Sequence, residues 1–294
     1  MEGKFFMQFA LFLGCKIPFF LQHYASATRA VLDALGVELI DIEFNCCGNP
    51  ITDLSRESSL LLSARNLALA QQQNLDILTP CKCCFGTLKR NAYFLKENHV
   101  VRKEFNGLLK DENLHWDGHT EVKHLLSVLA NDIGLEAITE QIKHPYSGLK
   151  IATHYGCQSL RPSRIMNFDD PFDPTIFERL VELTGAETVE WRRRLECCGN
   201  PVWGKNNQLS LDLMQKKLSD TQQAGAHFLC AACTHCQIQF DTVQDAELIQ
   251  QGSTDKQASM LYPQLIGLSM GLPEADLGLA NNKVDISGVL EFLS

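Results

Sequence analysis

A single cysteine pattern occurs twice in this chain, and no other feature limits its possible folds so strongly. The first copy is Cys15, then Cys46-Cys47-Gly48-Asn49-Pro50, then Cys81-x-x-Cys84. The second is Cys157, then Cys197-Cys198-Gly199-Asn200-Pro201, then Cys233-x-x-Cys236. Each doublet cysteine recurs after 151 residues and each knuckle cysteine after 152. Cys15 and Cys157 lie 142 apart, and the insertion-like stretch from Met166 to Pro174 takes up the difference. Self-similarity at a constant period marks an internal duplication. Two like halves are therefore expected, 1–145 and 146–294, joined at His144-Pro145, with the tail beyond about residue 246 packed back on the second half as an appendage.

Between the cysteines both halves alternate strand and helix signals. Met7–Leu13 and Leu149–Thr153 read as short buried strands, each leading to Gly-Cys. Ala27, Val31 and Leu35 have helical spacing, as do Ile176, Leu180 and Leu183, and Gly36 and Gly185 follow as stop signals. Val37–Glu43 and Glu187–Trp191 read as strands running into the doublets. Helices are expected over Leu60–Ala70 and Leu209–Lys217, then strands over Leu75–Thr79 and His227–Ala231. Such alternation predicts an α/β fold, each half a small parallel-type sheet with helices. Every cysteine group then falls just past the carboxyl end of a strand, where open parallel sheets place their ligands.

Composition closes off several function classes. A net charge of −9 argues against nucleic acid, which favours a basic patch. No apolar run approaches the length of a membrane span. Phe5 to Leu13 ends in Phe-Leu-Gly-Cys, but it is short, interrupted by Gln8 and preceded only by Lys4, so a lipoprotein signal is disfavoured. No Gly-x-Gly-x-x-Gly follows a strand, so neither NAD nor flavin is expected in this chain. Twelve cysteines in a chain long enough to build a core unaided, without a secretion signal, point to the cytoplasm and to metal or redox work.

Thiolates in sets of four or more hold zinc or iron–sulfur clusters. A structural zinc site takes four ligands, usually from two Cys-x-x-Cys knuckles. Each half here has one knuckle, a vicinal pair and a lone cysteine. Adjacent side chains point apart, which suits a larger cluster better than one small tetrahedral ion. Zinc remains the structural alternative.

The repeated pattern resembles the CCG domain, and two tandem copies resemble the B-type subunit of heterodisulfide reductase. Thr153-His154-Tyr155-Gly156-Cys157 with Leu160-Arg161-Pro162-Ser163, the run from Cys233 to Asp241, and the tail from Gln264 to Leu272 are similar to that protein, so the likeness covers nearly the whole chain. It implies two noncubane 4Fe–4S clusters, one on Cys15, Cys46, Cys47, Cys81 and Cys84, the other on Cys157, Cys197, Cys198, Cys233 and Cys236. It further implies reductive cleavage of a disulfide, or the reverse thiol oxidation, as an oxidoreductase acting on sulfur. The implied partners are a ferredoxin-like iron–sulfur subunit, a flavin subunit and a thiol or disulfide substrate. Both doublets here continue Gly-Asn-Pro, which points away from the methanogen coenzyme disulfide and toward bacterial relatives, including the Hdr-like systems of sulfur oxidisers acting on protein-bound sulfane sulfur. A non-catalytic electron relay in a larger complex is the other reading.

Several residues stand outside the repeat. Cys230 reads as a buried thiol and Cys83 as a spare one, with a resolving or sulfur-carrying role as its alternative. His154 and His235 neighbour pattern cysteines and read as a hydrogen bond toward sulfur or a solvated ring, with proton supply to a departing thiolate as the alternative. Arg161 and Arg164, like the run Arg192-Arg193-Arg194, read as a solvated face or as anchors for an anionic thiol. Trp116 fits no pattern.

Overall fold

A computed structural model describes residues 7–253 and 256–294. Lys4 and Phe5, on which part of the lipoprotein reading rests, lie outside the described residues. Two four-stranded parallel sheets make up the frame. The first contains β1 (Met7–Leu11), β2 (Val37–Ile40), β3 (Asp76–Thr79) and β4 (Val122–His124), in the order β2-β1-β3-β4. The second contains β5 (Lys150–His154), β6 (Glu187–Thr188), β7 (Phe228–Ala231) and β8 (Ser259–Leu261), in the order β6-β5-β7-β8. Met7 pairs with Val37 and Phe9 with Asp76 in one sheet; Lys150 pairs with Glu187 and Ile151 with Phe228 in the other. The central strands are covered on both faces, which is why Phe9-Ala10-Leu11, Ile151-Ala152 and Leu229-Cys230-Ala231 read as unbroken apolar runs.

Local chemistry sets the helix starts in matching places. Ser55 accepts a hydrogen bond from the Ser58 N–H (3.1 Å) at the head of the helix Arg56–Gln72. Asn206 does the same from Leu209 (3.1 Å) at the head of Asn207–Gln223. The strands predicted to reach Glu43 and Trp191 stop at Ile40 and Thr188; the intervening residues run without strand pairing into the doublets.

The tail beyond 246 is more than a cover. It supplies β8, which pairs with β7 at Leu229↔Ser259, and it closes back on the interdomain link through Tyr146↔Leu293 and the bond from Ser147 N to Phe292 O (2.8 Å). The halves also exchange helices. Tyr262–Ser269, just after β8, packs on the first-half helix Gln22–Ala34, while the helical segment just after β4 packs on the second-half helix Ile176–Glu182. This reciprocal packing turns the carboxyl ends of the two sheets toward a common seam.

Candidate metal centre

Three loops bring the first set of cysteines together. Cys15 follows β1, Cys46 and Cys47 follow β2, and Cys81 and Cys84 open the helix Lys82–Glu97 directly after β3. Because β2, β1 and β3 are neighbours, these loops converge at the point where the strand order reverses. The sulfurs form a continuous series in which each lies within hydrogen-bond reach of the next: Cys15, Cys46, Cys47, Cys84, Cys81. Cys46 and Cys15 are 3.8 Å apart. The second half repeats the series as Cys157, Cys197, Cys198, Cys236, Cys233. We call the two groups site 1 and site 2. In both, the knuckle sulfurs are buried, while Cys15 is exposed and Cys46, Cys157 and Cys197 are half-buried, so each group has one solvent-facing end.

Two pairs of glycines are required by this geometry. Gly14 (φ +69°) precedes Cys15, and a Cβ there would sit 2.7 Å from the Cys84 Sγ; Gly156 (φ +69°) has the Cys236 Sγ at 3.7 Å from the same point. Gly48 (φ +92°) and Gly199 (φ +95°) follow the doublets, and a Cβ would meet the backbone oxygen of Ser59 at 2.8 Å and of Ser210 at 2.6 Å. Only glycine adopts these angles in this space.

Crowding divides the protons unequally. Cys46 is pushed down to about 2 by hydrogen bonds from Cys15 and then Cys47, and Cys197 likewise to about 2 by Cys157 and Cys198. Cys15 and Cys157 are pushed up correspondingly, first by the same hydrogen bonds and then by burial. Five soft donors collected in this way, facing mainly one another, fit an iron–sulfur cluster better than a single ion.

The sites touch one another. The Cys81 and Cys233 sulfurs face each other across the seam within 4.8 Å, with Cys83 beside them. One ring nitrogen of His235 and the Cys81 and Cys233 sulfurs all lie within 4.8 Å of one another. Cys83 and His235 occupy the same knuckle position in the two halves, and each lines both sites. Burial pulls the His235 imidazole down, but hydrogen bonds to Cys233 and Cys81 outweigh it and leave it at about 9.

His154 is placed differently. It is fully buried, its ring 5.0 Å from Phe240 and 6.1 Å from Trp191, and neither ring nitrogen has a partner among the described residues. Burial first, then Lys217 and Lys82, hold it well below the ordinary imidazole range, so the ring is neutral. The residues on either side face the other way: Thr153 Oγ1 (2.8 Å) and Tyr155 Oη (2.5 Å) both donate to Glu178. Arg194 joins this carboxylate at 3.2 Å and Asp173 at 2.5 Å, and Arg193 pairs with Glu196 at 3.0 Å. Arg161, Arg164 and Arg192 are exposed. Cys230 is fully buried on β7, beside Thr153 of β5, and lines neither site.

Sequence reasoning missed the groups that bind the halves together. Lys82, His124, Arg90 and Lys217 carry no motif, and all stand at the seam or beside the sulfurs. His124 Nε2 faces Pro80 O and Ala232 O, each at 3.2 Å, the carbonyls that precede Cys81 and Cys233. Its Nδ1 accepts from Leu126 N (3.2 Å), which fixes the Nε2–H tautomer. Arg90 donates to Gln158 Oε1 (2.7 Å) across the same seam. A broader open groove along Arg29, Val37, Glu38 and Asp276 is lined without a cysteine.

Among the described residues, no helix is long and apolar enough to cross a membrane. The cysteine-rich domain CCG matches this chain twice, at residues 9–89 and 151–241. The 8-methylmenaquinol:fumarate reductase membrane anchor subunit of Wolinella succinogenes is 34% identical over 95% of this chain and 97% of its own length. The B-type subunit of the ferredoxin:CoB-CoM heterodisulfide reductase of Methanosarcina mazei is 32% identical over 97% and 95%. A crystal structure of a hypothetical protein from Helicobacter pylori superposes with a TM-score of 0.76 at 17% identity, covering 96% of this chain and 52% of that one, and speaks to the fold alone.

Proposed function

Because the chain belongs to the family of cysteine-rich CCG-domain proteins and carries the domain twice, we propose that it is the iron–sulfur subunit of a heterodisulfide-reductase-like complex, holding a noncubane 4Fe–4S cluster in each cysteine set. The observation that supports this most is the approach of the two sets at Cys81 and Cys233, whose sulfurs lie within 4.8 Å of one another. Cleaving a disulfide to two thiols consumes two electrons and two protons, and iron–sulfur clusters supply electrons singly. Two adjoining sites, each open to solvent at its Cys15 or Cys157 end, meet that stoichiometry. Cys15, Cys46, Cys47, Cys81 and Cys84 would hold one cluster, and Cys157, Cys197, Cys198, Cys233 and Cys236 the other.

The chain's own residues supply the rest. His235 lines both sites and is our assignment for proton delivery; His154, neutral and sealed from solvent against Phe240 and Trp191, lines neither. Arg194 and Arg193 spend their charges on Glu178, Asp173 and Glu196, so an anionic thiol is left to Arg161, Arg164 and Arg192 at the surface. Electrons would pass to or from a ferredoxin-like subunit and a flavin subunit, in the cytoplasm, where free thiols persist.

The second reading is a relay that passes electrons without touching sulfur substrates. The Wolinella relative favours it, being named for a quinol and fumarate rather than for a disulfide. Paramagnetic spectra of the half-oxidised protein separate the two. A thiol whose sulfur is isotopically labelled should broaden a signal in the catalyst; a complex that turns over with neither thiol nor disulfide perturbing the spectra would establish the relay.

A further inference from the structure

The second residue of each knuckle works in the opposite half. Lys82 and Thr234 occupy equivalent places in the duplication. Lys82 Nζ crosses the seam and donates to His154 O and Tyr155 O, both at 3.0 Å, the carbonyls just before Gly156-Cys157. It lies 5.1 Å from the Phe177 ring and lines site 2. Thr234 crosses the other way and lines site 1, its Oγ1 buried without a partner among the described residues.

A second substitution adds to this asymmetry. Lys217 donates to Arg193 O and sits 5.1 Å from the Trp191 ring, and the anionic groups that act on it are, in order, Cys198, Cys236, Glu196 and Cys197. Its counterpart 151 residues earlier is Asn66, a neutral amide bonded to Asn45 and Cys46. Lys82 and Lys217 are 2% and 1% exposed, so solvent screens neither. The cation that lines site 1 and not site 2 is Lys16, which is half-exposed, whereas His235 lines both. Arg90 faces Cys83, Cys157 and Cys47 and serves both sites.

We propose that Lys82 and Lys217 make site 2 the more readily reduced of the two centres, so that an electron entering the subunit rests first on the second-half cysteine set. This rests on the reading that each set holds a cluster. Reduction adds a negative charge, and two buried cations beside that charge stabilise it, whereas site 1 receives a hydroxyl and an amide.

The test is an anaerobic reductive titration of the full chain followed by paramagnetic resonance, with iron measured on every sample. Cys46→Ser and Cys197→Ser assign the signals, each removing one. The signal lost in Cys197→Ser should titrate at the higher potential in the unaltered protein. Lys82→Met should lower it by about tenfold or more in the reduction equilibrium, about 59 mV for one electron, and leave the other signal in place. Lys82→Arg should restore most of the shift, which a purely structural role would not require. Lys217→Met should act in the same direction and serves if Lys82→Met does not fold. With iron content intact, a reversed order of potentials, or equal movement of both signals, would overturn the proposal. Absence of iron in the unaltered chain would instead defeat the cluster reading, before any titration begins.

Discussion

Replacing His124 by leucine should weaken the fold and change its response to acid. The imidazole joins the loops that carry Cys81 and Cys233, and its other nitrogen caps Leu126. In the variant, Pro80 O keeps the Tyr24 hydroxyl at 2.6 Å, but Leu126 N–H and Ala232 O lose the imidazole. At about 1–3 kcal/mol for each buried group left unpaired, the cost at neutral pH is about 2–6 kcal/mol. Burial also holds the imidazole down, from 6.5 to about 3. The unfolded chain therefore takes up a proton as the pH falls through 6.5, and the native state refuses it until near 3. The stability is full above 6.5 and is lost on acidification across that window. Between pH 7 and pH 5 this single group removes about 2 kcal/mol. His23, held at about 4 by burial and by Lys283, adds a slope of its own that both proteins share. Anaerobic urea unfolding at the two pH values, for both proteins, gives the comparison. His124→Leu should be less stable at pH 7 yet lose about 2 kcal/mol less on going to pH 5. Equal pH dependence in the two proteins would refute the reasoning.

Three further outcomes follow from the same geometry. Gly14→Ala should lose site 1 and keep site 2, because its Cβ would fall 2.7 Å from the Cys84 Sγ, and Gly199→Ala should do the converse; iron content near half, with one spectral signal left, checks each. Cys230→Ala should keep both centres, since that thiol lines neither site, whereas Cys233→Ser should damage site 2; loss of site 2 in Cys230→Ala would put the second cysteine set one knuckle out of register. Arg194→Met should lower the melting temperature while leaving the KM for an anionic thiol within about twofold, because its guanidinium is committed to Glu178 and Asp173; a KM rise of tenfold would return it to the substrate.

The duplication made three strands of each sheet and their cysteine loops readable in advance, since each loop had to follow a strand and the same order of Gly-Cys, doublet and knuckle recurs in both halves. The fourth strands were not readable. Val122-Lys123-His124 and Ser259-Met260-Leu261 are three residues each, and a run that short has no periodicity of its own. Their partners β3 and β7 define them. The seam was hidden for a related reason: Lys82 sits inside a Cys-x-x-Cys knuckle, where its spacing speaks only of its own half, and its contacts lie more than seventy residues away. The arginine run was legible as charge but not as function, because Glu178, Asp173 and Glu196 are brought to it only by folding.

Iron and acid-labile sulfide, measured together on the full chain purified without oxygen, test most directly whether each cysteine set holds an iron–sulfur cluster. About eight of each per chain, four for each set, are expected. Two zinc ions per chain with neither iron nor sulfide would contradict the cluster reading at both sites.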